Sequence, residues 1–107
     1  MDEWQPITEK ELLKLLSEEK KLFTANAVKV YEKYKVKPYK VKIVRSEMYG
    51  TEEVWVVAKD GNMVVWYCDV EEDFGWAFVD VKGFIEEEGG GLVGNLGWVL
   101  TATEFGK

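Results

Sequence analysis

The spacing of apolar residues changes once along this chain, and that change limits the folds available to it. In the first third, segments such as "ELLKLL" repeat apolar residues at helical intervals. From Tyr39 onward, apolar residues either alternate with polar ones or form short continuous runs, as they do in strands. The sequence therefore predicts an α+β fold, with two N-terminal helices packed on an antiparallel β-meander of about four to five strands.

Local signals set the limits of the two helices. Thr8 and Glu11 have the spacing of a capping box, so we expect the first helix over about residues 8 to 20. Thr24 can cap a second helix, which should end near Lys35 because the proline three residues later disfavours helical geometry in the residue before it.

The remaining segments predict strands. "YKVKIVR" alternates apolar and basic residues, which is typical of a half-exposed strand. "EVWVVAK" and "MVVWYC" are apolar on both faces and are joined by Asp60, Gly61 and Asn62, a strong hairpin signal. "FGWAFVDV" predicts the next strand and "GWVLTATEF" the last one.

Length and charge describe one acidic domain. The 107 residues match a single domain, residues 1 to 107, and the net charge of −6 disfavours binding to nucleic acid or anionic lipid. Residues 29 to 45 carry seven basic side chains and one acidic one, whereas residues 69 to 88 carry eight acidic side chains and one basic one. We interpret the lysine-rich segment as an exposed strand that resists aggregation rather than as a nucleic-acid site.

Catalytic machinery is not evident. No histidine is present, which removes the commonest general base and every Ser-His or Cys-His nucleophilic pair. Two carboxylates can perform acid-base chemistry, but nothing in the sequence fixes a separation between any two of them. The sequence predicts a protein that is not an enzyme and uses no cofactor.

The acidic segment after the third strand can be compared with a calcium loop. Asp69, Glu71 and Asp73 alternate, and Asp80 falls at the twelfth position. The sixth position, which needs glycine in an EF-hand, is Phe74, and the residues after it alternate as in a strand. We predict no metal site here, only a solvated acidic turn.

The single cysteine, Cys68, cannot form an intramolecular disulfide, which is typical of a reducing compartment. It has no basic neighbour in sequence that would favour its thiolate, so we predict a small buried apolar residue. The segment "MDEWQPITEK" lacks the pattern of a signal peptide, and no apolar run approaches the ~20 residues of a membrane span. The prediction is a cytoplasmic protein without membrane association.

Aromatic residues beside the acidic turn predict a protein-binding surface. Strands that are apolar on both sides need cover on two faces, while two helices usually cover one. Either the C-terminal segment packs on the second face or that face is partly open. An open aromatic face with carboxylates at its rim has the composition of a binding hot spot. The predicted contact residues are Asp69, Glu71, Glu72 and Asp73, with Trp66, Phe74 and Trp76 as anchors.

The segment "VWVVAKDGNMVVWYCDVEEDFGWAFVD", residues 54 to 80, resembles the strand-turn-strand segments with an acidic bend found in small bacterial immunity proteins. The resemblance implies an inhibitor that binds and occludes a cognate toxin domain, commonly a basic nuclease. The resemblance does not assign a functional role to any residue by its position in the sequence. The alternatives are a small-molecule-binding module with its ligand between helices and sheet, a carboxylate-dependent enzyme, or a structural subunit.

Overall fold

A computed structural model of the chain describes residues 7–44, 51–68, 72–86, 91–103 and Phe105. Helices and strands follow one another in an order that confirms the α+β prediction, with two helices preceding an antiparallel meander. The elements are α1 (Glu9–Lys20), α2 (Ala25–Tyr34), β1 (Lys35–Val44), β2 (Thr51–Asp60), β3 (Met63–Cys68), β4 (Asp73–Phe78), β5 (Ile85–Glu86), β6 (Gly91–Gly94) and α3 (Leu96–Ala102).

The predicted caps start both N-terminal helices. The Thr8 hydroxyl accepts the Glu11 N–H at 3.1 Å, and the Glu11 carboxylate accepts the Thr8 N–H at 3.1 Å, which completes a capping box. The hydrogen bonds that this carboxylate accepts from the Thr8 backbone and side chain lower the pKa of Glu11. The Thr24 hydroxyl accepts the Ala27 N–H at 3.2 Å and caps α2, which passes into β1 at Lys35.

The strand predicted in "GWVLTATEF" is wrong, because most of that segment forms α3. The Asn95 side chain caps this helix, and Leu96, Val99 and Leu100 form its buried face at helical spacing. Tryptophan, valine and threonine favour strands on an exposed or half-buried surface. Here the cap and the burial of one helical face outweigh that preference.

The sheet has the order β5-β1-β2-β3-β4-β6. Strands β1 to β4 are antiparallel neighbours, β5 runs parallel to β1, and β6 runs antiparallel to β4. An isolated bridge also joins Val79, just after β4, to Ile85 of β5. Because β5 is paired with β1 and is also bridged to the residue after β4, the sheet curls and brings β1 close to the end of β4.

This curl explains why the central strands are apolar on both faces. The helix-side core lies between the helices and the sheet, and the inner core lies within the curl, so no third layer is needed. The buried residues of the helix-side core are Leu12, Leu16, Tyr31, Val57, Ala58, Val65, Tyr67, Phe74, Leu96, Val99, Leu100 and Phe105. Those of the inner core are Ile43, Val54, Val56, Val64, Trp66, Cys68, Ala77 and Ile85.

Among the described residues, no helix has both the length and the apolar character that a membrane crossing requires.

Candidate functional site

The turn between β3 and β4 carries the predicted acidic contact. Asp69 and Glu71 lie outside the described residues. Glu72 is exposed and has a φ of 57°, the left-handed conformation of a tight turn. Asp73 is half-buried and begins β4 opposite Cys68. Glu72 therefore presents its carboxylate at one end of the sheet, with Asp73 next to it.

Two of the three predicted anchors lie in the cores. Trp66 is 2% exposed in the inner core, and Phe74 is 2% exposed in the helix-side core, 4.8 Å from the Tyr67 ring centre. The Trp66 indole N–H finds no hydrogen-bond partner among the described residues, and leaving a buried donor unpaired costs stability. A contact residue must reach solvent, so this arrangement disfavours an anchoring role for both side chains.

Trp76, the third predicted anchor, is half-buried. Its ring packs edge to face on Phe78 with 5.5 Å between ring centres, and it borders the helix-side core. The structure thus distributes the three aromatic side chains between two opposite faces of the sheet. They do not form one exposed patch beside the acidic turn.

Cys68 is buried in the inner core. A thiol reagent can reach such a side chain only after local or global opening of the fold. We expect modification of Cys68 to be much slower in native buffer than in denaturant, as measured by the absorbance of a chromogenic disulfide reagent. Labelling at the same rate in both conditions would contradict the burial of this residue.

A different tryptophan is exposed at the surface. Trp98 is 58% exposed and Leu22 is 72% exposed, among the largest apolar exposures in the described chain. Both side chains line a cleft of about 160 Å³ between the end of α1, the start of α2 and α3. We call this region the Trp98 cleft; its other lining residues are Thr24, Ala27, Asn95, Gly97 and Thr101.

Several contacts hold Trp98 in place. The Asn95 side chain accepts the Trp98 N–H at 2.8 Å, and the Glu19 carboxylate accepts the Leu96 N–H at 3.0 Å. A carboxylate at a helix N-terminus is favourable because the helix dipole is positive there. Gly97 packs closely on Phe23, where an added Cβ would come within 3.4 Å of the ring. The exposed indole therefore projects from a fixed backbone.

The sheet register connects the Trp98 cleft with the acidic turn. Gly94 of β6 pairs with Phe74 of β4, so the chain leaves β6 level with the start of β4. Helix α3 begins two residues later and therefore starts at the sheet end that carries Glu72 and Asp73. An exposed tryptophan and exposed negative charge thus occupy one end of the molecule.

Sequence reasoning did not select Trp98 because it placed this residue on a strand beside other aromatic residues. The signal that could have found it is the helical spacing of Leu96, Val99 and Leu100 after a capping asparagine. In a helix with that spacing, Trp98 lies outside the buried face.

Within the described ranges, no three or more cysteine or carboxylate side chains lie together in an arrangement that could hold a metal ion. Comparisons with family models, curated proteins and solved structures found no match to this chain.

Proposed function

We propose that this chain is a protein-binding inhibitor of the immunity type, which binds and occludes a basic toxin domain. The observation that carries the proposal is the exposure of Trp98 and Leu22 at the sheet end that bears the acidic turn. Tryptophan is strongly enriched among residues that dominate binding energy, and carboxylates around such an anchor accelerate encounters with a basic partner.

The shape of the cleft defines what the partner supplies. A cavity on the order of 150 Å³ accommodates one benzene-sized group, and the Trp98 cleft has about 160 Å³. The proposed partner therefore inserts a single apolar side chain beside Trp98. Its basic side chains then face Glu72 and Asp73.

The overall charge supports this choice of partner. A net charge of −6 gives the whole molecule a field that attracts basic proteins and repels acidic ones. The proposed place of action is the cytoplasm, where a lone cysteine such as Cys68 stays reduced.

The first test is affinity capture from a lysate of the source organism, with elution along a salt gradient. We expect one basic protein, released at high salt, whose toxic activity is inhibited when the purified chain is added back. Captured proteins that are acidic, or whose activity the chain leaves unchanged, would contradict the proposal.

Reversing the charge of the acidic turn should slow association with that partner. In the double variant Glu72→Lys and Asp73→Lys, we expect the association rate constant to fall at least about tenfold at low salt, because steering is lost. Stopped-flow or surface-plasmon measurements at several salt concentrations provide the readout, and the difference should shrink as salt screens the charges.

The matched control reverses Glu9 and Glu32, two exposed glutamates on α1 and α2 that lie beside Lys35, which pairs with Ala58 near the opposite end of the sheet. It changes the net charge by the same amount. Equal association rates for the two double variants would show that total charge, and not the acidic turn, governs the encounter.

A further inference from the structure

A second cleft, of about 400 Å³, shares no lining residue with the Trp98 cleft and includes neither Glu72 nor Asp73. Three parts of the chain form it: β1, β2 and the loop between β4 and β5. Four lysines line it, Lys40, Lys42, Lys59 and Lys82, together with one glutamate, Glu53. We call this region the lysine cleft.

This concentration of positive charge contrasts with the rest of the molecule. The chain as a whole carries a net charge of −6, yet the lysine cleft has three more cationic than anionic side chains. In the described part of the chain, ion pairs form at Lys21 and Lys35 and at none of the four cleft lysines. Among the described residues, Glu53, which pairs with Lys42 across the strands, is the one carboxylate that lines the cleft, and the excess of like charge has an energetic cost that an anion would offset.

Protection of a strand edge explains only part of this grouping. Lys40 and Lys42 lie on β1, where exposed lysines discourage pairing with other chains. Lys59 lies on β2, which is paired on both sides, and Lys82 lies in a loop. These two lysines come from outside the lysine-rich segment of the sequence, and only the fold brings them to the cleft.

Hydrogen bonds within the loop connect the backbone on both sides of Lys82 to Asp80. The Asp80 carboxylate accepts the Lys82 N–H at 2.9 Å and the Phe84 N–H at 3.0 Å, and the Asp80 carbonyl accepts the Gly83 N–H at 2.9 Å. Gly83 has a φ of 83°, which glycine adopts without strain. Asp80 is thereby committed to the backbone of the loop, and the wall of the cleft is preformed.

Aromatic rings position two of the cations. The Lys42 amine lies 5.7 Å from the centre of the Phe84 ring, which also lines the cleft, and the Lys40 amine lies 5.2 Å from the centre of the Trp55 ring. Such contacts hold a lysine in place but leave its N–H donors available. No aromatic contact of this kind constrains Lys59 or Lys82 within the described chain.

We propose that the lysine cleft binds a small anion that carries two or more phosphate groups. A volume of about 400 Å³ is in the range of small-molecule sites, roughly 300–1,000 Å³. Lysine ammonium groups bind phosphate as compact point charges, and several of them match a ligand whose charge is spread over more than one phosphate. The proposal is independent of the inhibitor function, because the two clefts have no residue in common.

The test uses inorganic pyrophosphate as the ligand and the whole chain as the protein, followed by amide NMR and calorimetry. We expect saturable binding with shifts at the Lys82 and Phe84 amides. The double variant Lys59→Glu and Lys82→Glu should bind at least about tenfold more weakly, because like charges then face the phosphates. Both side chains are exposed, so thermal unfolding should show an intact fold.

The control variant, Lys10→Glu and Lys29→Glu, makes the same charge change at two exposed helix positions outside the cleft, and its affinity should stay within about twofold of the original. Equal losses in both double variants, or no saturable binding at millimolar pyrophosphate, would overturn the proposal. Tighter binding of a single-stranded oligonucleotide at the same amides would also overturn it, in favour of a nucleic-acid site.

Discussion

Replacing Phe105 with alanine is expected to lower the free energy of unfolding by about 3–5 kcal/mol, the range for truncating a large buried aromatic side chain. Phe105 is 1% exposed and belongs to the helix-side core. Its ring packs edge to face on Tyr34, with 5.4 Å between ring centres, and its N–H donates to the Thr103 hydroxyl. The Phe105 side chain thus packs the segment after α3 against α2.

Urea unfolding followed by tryptophan fluorescence provides the measurement. Phe105→Leu keeps most of the apolar volume and should lose less, which preserves a readable result if the alanine variant does not fold. Leu22→Ala removes a side chain that is 72% exposed and should change stability by less than about 0.5 kcal/mol. A loss below about 1 kcal/mol for Phe105→Ala would show that this residue does not hold the core.

The parts of the fold that follow local rules could be read from the sequence. Thr8 with Glu11, and Thr24, place the starts of α1 and α2 because each cap is a contact within three residues. Asp60 and Gly61 likewise mark the hairpin between β2 and β3, where Gly61 has a φ of 62°. These signals do not depend on the rest of the chain.

The closure of the sheet could not be read in this way. Val79 meets Ile85, and Ile85 lies beside Ile43 of β1, a contact between residues about forty positions apart. Alternation of apolar residues shows that a strand has two apolar faces, but not what covers each of them. Without the closure, the inner core resembles an open aromatic face, which is why Trp66 was predicted as an anchor.

The same contrast between local signals and long-range contacts applies to the candidate site. The acidic turn was predicted from composition, and Glu72 is exposed in the structure. Trp98 was missed, because its exposure depends on the conversion of the last predicted strand into α3. A helix and a strand place the same residue on different faces. Predicting a strand where a helix forms therefore assigns a surface side chain to the core, or the reverse.

Replacing Trp98 with alanine is expected to weaken binding to the basic partner by at least about 2 kcal/mol, or roughly thirtyfold, as for a hot-spot residue. Trp98 is 58% exposed and lies off the buried face of α3, so the free energy of unfolding should change by less than about 0.5 kcal/mol. The loss should appear mainly as faster dissociation, because short-range packing acts after the encounter.

This kinetic pattern separates the two halves of the proposed surface. Reversal of the acidic turn should act on association and fade with salt, whereas Trp98→Ala should act on dissociation and persist at high salt, since apolar contacts are not screened. Tyr39→Ala is the matched control, because it removes an aromatic side chain that is also exposed but lines the lysine cleft. If Tyr39→Ala weakened the partner complex as much as Trp98→Ala, the partner would contact the lysine cleft and the docking surface would have to be moved to that side of the molecule.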